Sequence, residues 1–140
     1  MGIASIGSAL VAAVALASGG AEARTDPPTL KVTAPKAALA PGTRYDVGAS
    51  GYAAAFNRLA LFVSVGKECA ESALLEARTG TPEHLFDVPA YHSFSVATKN
   101  AYRAKAPGDR YACGYLFLHN HSDAADQLRG QRHFRVAATR

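Results

Sequence analysis

The sequence predicts an all-β domain of antiparallel strands, and three observations predict it. Short alternating or apolar runs are separated by Pro, Gly, Asn and Asp at roughly ten-residue spacing, as in a sandwich or barrel. No stretch as long as an ordinary domain helix repeats its apolar residues at helical spacing. The only two cysteines, Cys69 and Cys113, are placed to cross-link such a framework if the chain is exported.

Export is what the N-terminus predicts. Ile3 to Ala17 is apolar apart from Ser and Gly, and a small-residue exit, Gly19-Gly20-Ala21-Glu22-Ala23, follows it. Ala21-Glu22-Ala23 fits the small-x-small rule for signal peptidase, which puts the cut between Ala23 and Arg24 and makes 1–23 a secretory signal peptide. The run is shorter than the ~20 apolar residues of a spanning helix, so a retained membrane anchor is not expected. The n-region has no Lys or Arg, which departs from the usual leader. In an oxidising compartment Cys69 and Cys113 are expected to pair, closing a loop of about 45 residues and contributing roughly 4 kcal/mol by restricting the unfolded chain.

Residues 24–29, with two prolines, read as a flexible lead-in, and the domain is expected over 30–138. Leu30 to Ala34 alternates before Pro35 stops it, as an edge strand does. A short piece, Ala37 to Ala40, ends at the Pro41-Gly42 turn. Tyr45, Val47 and Ala49 then share one strand face. Leu59 to Val65 is the most apolar stretch after the leader and predicts a central strand buried on both faces. Ala70, Leu74, Leu75 and Ala77 fall at helical spacing, predicting one short helix near 70–78. Leu85 to Val88, Ser93 to Thr98, Tyr111 to Leu118 and Arg132 to Ala137 complete a set of about seven or eight strands.

Gly108-Asp109-Arg110-Tyr111-Ala112-Cys113 resembles the penultimate strand of immunoglobulin-like sandwiches, in which a Tyr two residues before a Cys pins a corner through its hydroxyl. With Pro41-Gly42 and the final Phe134-Arg135-Val136, the resemblance spans most of Leu30 to Ala137 and implies an immunoglobulin-like antiparallel β-sandwich, of the kind found in small exported bacterial domains. The chain departs from that family in two ways. The partner cysteine falls after the third main strand instead of near Val47, and there is no Trp.

The formal charge is +4, and cleavage of the leader removes an acid, Glu22, and no base. After Asp126 come Arg129, Arg132, Arg135 and Arg140 without an acid. Such one-sidedness favours anionic polymers or surfaces at low salt, and it also fits an evenly solvated strand face. His119-Asn120-His121 is the sharpest local feature, because two His at i and i+2 on a strand point the same way. With Asp123 and His133 they form a candidate zinc or copper set; the plain alternative is a polar loop running from Asn120 to Asp126.

Other chemistry is excluded or weak. Gly48-Ala49-Ser50-Gly51-Tyr52 lacks the second Gly of a nucleophile elbow, and the acids are too scattered to nominate a carboxylate pair. There is no phosphate-cradling Gly loop, redox CxxC or nucleic-acid motif. Asn120-His121-Ser122 matches a glycosylation sequon. Tyr91, His92, Phe94, Tyr102 and Tyr111 form either an exposed aromatic patch or part of the core. The resulting expectation is a secreted or cell-envelope binding module with no cofactor and no catalysis, whose partner is a protein or a cell-surface polymer rather than nucleic acid. The second expectation is an exported metal-binding protein using the His-x-His pair.

Overall fold

The computed structural model describes residues 26–79, 82–99, 102–119 and 127–138, with side chains throughout except at 79 and 82–86. The leader over 1–23 and its cut at Ala23 and Arg24 lie outside the described residues. Nine strands and one helix follow in order: β1 (Thr29–Thr33), β2 (Arg44–Tyr45), β3 (Gly48–Tyr52), β4 (Arg58–Val65), α1 (Ala73–Thr79), β5 (Pro82–Pro89), β6 (Ser93–Ala97), β7 (Tyr102–Arg103), β8 (Gly108–Phe117) and β9 (Leu128–Val136). They form a four-stranded sheet, β5-β4-β8-β9, a three-stranded sheet, β1-β3-β6, and a two-stranded ribbon, β2-β7. Every ladder is antiparallel, and a lone parallel bridge joins Leu39 to Val136.

β4 is central because both of its faces are apolar. Leu59, Leu61 and Val63 point one way and Ala60 and Phe62 the other, and all five are buried. The inner face meets the smaller sheets in two adjoining clusters. Val32, Tyr45, Val63, Tyr102, Phe134 and Val136 form one, and Ala49, Ala53, Leu59, Leu61, Ala90 and Leu116 form the other. β1 crosses the larger sheet where Gly114 of β8 and Gly130 of β9 stand directly opposite each other. A Cβ on Gly114 would lie 2.8 Å from Val32 Cγ2, and one on Gly130 would lie 3.1 Å from the same atom. The missing side chains therefore set how closely β1 approaches.

The run from Tyr45 to Ala49 is not the single strand expected. Tyr45 pairs with Tyr102 in the ribbon, whereas Gly48 to Tyr52 pair with β1 and β6. The chain changes sheets at Asp46 and Val47. There Thr98 fixes the crossing: the Val47 N–H donates to Thr98 Oγ1 at 3.1 Å and the Thr98 N–H donates to the Val47 carbonyl at 3.1 Å. The three residues of the predicted face are nevertheless all buried. Splitting this run, and the two-residue β7, raise the count above that expected, while Ala37 to Ala40 contributes only the Leu39 bridge.

The outer face of the larger sheet carries a third layer, made of the segment after β4 and of α1. Ser72 caps the helix, its Oγ accepting from the Leu75 N–H at 3.1 Å. The helix turns a different side to the sheet from the one its apolar spacing implies. Ala73 and Glu76 are buried, while Leu74 and Leu75 stay 38% and 41% exposed. The reason is space: Phe62, Tyr115 and Phe117 already fill the sheet surface, so a small residue fits beneath the helix where a leucine would not.

Gly114→Ala forces a methyl group against Val32 and is expected to destabilise the fold by about 1–3 kcal/mol. Chemical denaturation will show this as a lowered midpoint with an unchanged slope; a wild-type midpoint would show that β1 does not need the bare backbone beneath it.

Candidate functional site

The outer layer is built around the predicted disulfide. Cys69, four residues after β4, is bonded to Cys113 of β8 with the Cα atoms 5.7 Å apart, and both are buried. Around it the irregular backbone is satisfied by side chains from β8, β9 and the residue before β9. Gln131 Oε1 accepts from the Cys69 N–H at 3.1 Å, and its Nε2 donates to Glu68 Oε1 at 3.0 Å. Arg129 Nη1 donates to the Cys69 and Ala70 carbonyls at 3.0 and 3.3 Å. The Ala73 N–H donates to Gln127 Oε1 at 2.9 Å. The Tyr115 hydroxyl donates to the Ala70 carbonyl at 2.7 Å. Burial first, and then the charge of Glu76, push that phenol far above its ordinary pKa, with Arg129 opposing.

Glu76 is fully buried in this layer. Its Oε1 accepts from the Ala70 N–H at 3.1 Å and lies 3.5 Å from Cys113 Sγ. Oε2 has no hydrogen-bond partner among the described residues. The two sulfurs and this carboxylate fall within 4.8 Å of one another, yet with the sulfurs bonded to each other only the carboxylate is left to bind an ion. Sequence reading missed Glu76, because a single acid in an Ala-rich helix carries no signal of burial.

The candidate metal ligands are placed differently. His119 is exposed at the end of β8, with its backbone N–H donating to Asn57 Oδ1 at 2.7 Å. His133 lies on β9 opposite Tyr111, so His119 stands eight residues further along the same sheet, roughly 25 Å away at strand rise. One ion cannot join the two. His121 and Asp123 lie outside the described residues, as does the sequon at 120–122. His133 instead holds Asp109: its Nε2 is 2.9 Å from Asp109 Oδ1, with Arg135 Nε at 3.6 Å. The hydrogen bond from His133 is the main cause that lowers the Asp109 pKa below the usual aspartate value; desolvation opposes it, and the charges of His133 and Arg135 add smaller lowering effects.

Tyr111, the residue in the position of a corner tyrosine, is half-buried with its ring 5.1 Å from that of His133. The tyrosine that reaches back to a loop carbonyl is Tyr115, two residues after Cys113. The five aromatic and His candidates divide between surface and core. Tyr91 is 61% exposed and His92 is exposed, Phe94 is half-buried, and Tyr102 is buried and stacked on Tyr45 at 5.5 Å. Beside α1, a shallow recess of about 180 Å³ is lined by Ala60, Phe62, Ala73, Leu74, Asp87 and Phe117, among others. Arg58 pairs with Asp87 at its rim through two contacts of 2.9 Å.

These features define an all-β protein of antiparallel sheets with a disulfide-stapled outer layer. No family model matches the chain, and no curated protein matches it. Among the described residues, no helix is long and apolar enough to cross a membrane.

Replacing both Cys69 and Cys113 by Ser is expected to cost about 2–4 kcal/mol, read from denaturant unfolding of the oxidised wild type beside the double variant. A second test concerns Asp109. A folded pKa below the unfolded one means that its stabilising contribution is present above the ordinary aspartate pKa and is lost as pH falls through the lowered value. In His133→Ala the carboxyl should titrate closer to its ordinary midpoint, as followed by side-chain carboxyl NMR; an unmoved midpoint would mean that the hydrogen bond is not its cause.

Proposed function

We propose that the chain is an exported binding module of immunoglobulin-like architecture, which attaches to a protein or polymer of the cell surface and carries out no reaction of its own. The observation that carries this reading is the Cys69–Cys113 bond. Such bonds form and persist in oxidising compartments, and this one holds in place a layer that has no strand ladder of its own. The leader read over 1–23 points to the same compartment.

The use made of the interior charges supports the non-catalytic half of the reading. The buried Arg110 guanidinium donates to the Ala106 carbonyl at 2.6 Å and the Asp109 carbonyl at 3.2 Å, closing the turn before β8. Glu76 accepts from the Ala70 backbone. The contacts that these two buried groups make with the chain's own backbone give them a structural use. The immunoglobulin-like half rests on two antiparallel layers enclosing an apolar core and on a long penultimate strand carrying Cys113.

The test uses protein exported by its native host. Its intact mass should correspond to a chain starting at Arg24 and should rise by about 2 Da on reduction, the mass of the two hydrogens added. When added back to washed envelopes of that host, the oxidised protein should sediment with them. A full-length mass with two alkylatable thiols would overturn the exported reading. Protein that stays entirely in the supernatant would overturn the surface-binding reading.

A further inference from the structure

A cavity of about 230 Å³ lies between the end of β1 and the edge strand β9, lined by Lys31, Val32, Thr33, Ala34, Lys36 and Arg132. The path of the chain creates it. Pro35 ends β1, and the backbone then crosses to the rim of the larger sheet, where Leu39 joins the end of β9. There the Leu39 N–H donates to the Arg135 carbonyl at 3.0 Å and the Ala137 N–H donates to the Leu39 carbonyl at 2.7 Å. The crossing segment leaves a gap between itself and β9, and three cations surround that gap.

Arg132 breaks the pattern of its strand. It shares a strand face with Leu128, Gly130, Phe134 and Val136, of which Phe134 and Val136 are buried, and it stands opposite the buried Ala112. Arg132 is itself exposed; a charge on the core-side face of an edge strand discourages edge-to-edge pairing, and one arginine would suffice for that. It does not account for Lys31 and Lys36, which come from another layer and line the same space. Among the described residues the lining contains no acid, and none of the three side chains is held in an ion pair. The arginines and histidine on the opposite face of β9 are engaged: Arg129 on the Cys69 loop, and His133 and Arg135 at Asp109.

We propose that Lys31, Lys36 and Arg132 form a binding site for a phosphate group. A planar guanidinium offers a two-pronged donor to an oxyanion, and two flanking ammonium groups supply point charges, the arrangement suited to a multiply charged phosphate. The site deepens the surface-binding reading and rests on it for its purpose, since phosphate borne on a polymer is the form a surface presents. Recognition of the group itself is independent of that reading.

The oxidised full-length protein is titrated with inorganic pyrophosphate at low ionic strength, by calorimetry and by backbone amide NMR. Saturable binding at one site is expected, with shifts concentrated at 31–36 and around Arg132. Arg132→Gln should weaken it about tenfold or more, the loss typical of a charge-assisted hydrogen bond. Arg135→Gln removes the same charge from the opposite face of the strand and should keep the wild-type affinity. An equal loss in both variants, or no saturation in the wild type, overturns the proposal, because only net charge would then be at work. Linear polyphosphate separates the sources: binding tighter per phosphate than pyrophosphate marks a polymer ligand, and equal binding marks the free ion. Envelope sedimentation that persists without pyrophosphate binding would sink this site alone and leave the surface-binding reading standing.

Discussion

Val32 resting on the bare backbone of Gly114 and Gly130 sets the spacing between the sheets. A side chain at either glycine would push β1 outward, and the contacts that depend on its position would open together. Leu30 touches both inner clusters, so a displaced β1 would loosen both. A buried aliphatic side chain is worth about 1.5–3 kcal/mol, and close packing makes such a loss hard to recover by relaxation. The same seating fixes where β1 ends and so where the Pro35 crossing begins. The cationic cavity is thus a consequence of how the two sheets meet.

The outer layer follows a different logic. Its backbone between the β4 turn and α1 belongs to no ladder, so each N–H and C=O needs its own partner. Gln127, Arg129, Gln131 and Tyr115 supply several of them. A single net hydrogen bond contributes only about 0.5–1.5 kcal/mol, so a layer held this way is prone to local opening. The disulfide removes that freedom by joining its start to buried Cys113 of β8. Phe62, Tyr115 and Phe117 then pack beneath a layer whose position is fixed, which is why the helix can leave Leu74 and Leu75 outside.

Much of this was legible in the sequence where a residue's own pattern carries the information. The apolar run at Leu59 to Val65 and the paired cysteines were readable because burial on two faces and the bond each leave a local mark. The break between Tyr45 and Ala49 was not, because the alternation continues across it and only Thr98, far along the chain, decides that the sheets change there. The side that α1 buries was equally hidden, since it depends on aromatic residues already filling the sheet below. Of the candidate site residues, Cys69 and Cys113 are joined, whereas His119 and His133 are far apart because register, which no spacing rule reveals, places them along the same sheet.

The basic C-terminal run shows how the fold resolves what composition leaves open. In sequence Arg129, Arg132, His133 and Arg135 are one cluster, equally consistent with a solvated face and with an anion-binding surface. Strand alternation divides them between two faces, and the two faces meet different surroundings. On the outer face Arg129, His133 and Arg135 find carbonyls or Asp109, so their charge is spent inside the protein. Arg132 alone stands on the face turned toward β1, still exposed, where β1 brings Lys31 and the crossing segment brings Lys36. Three exposed cations that line one space, with no acid among the described lining residues, repel one another to the extent that solvent leaves unscreened, and an entering anion offsets that repulsion. The net charge of the chain would be unchanged if Arg132 stood one residue earlier or later, but the convergence would be lost, so it is strand register, and not the number of basic residues, that makes this surface specific.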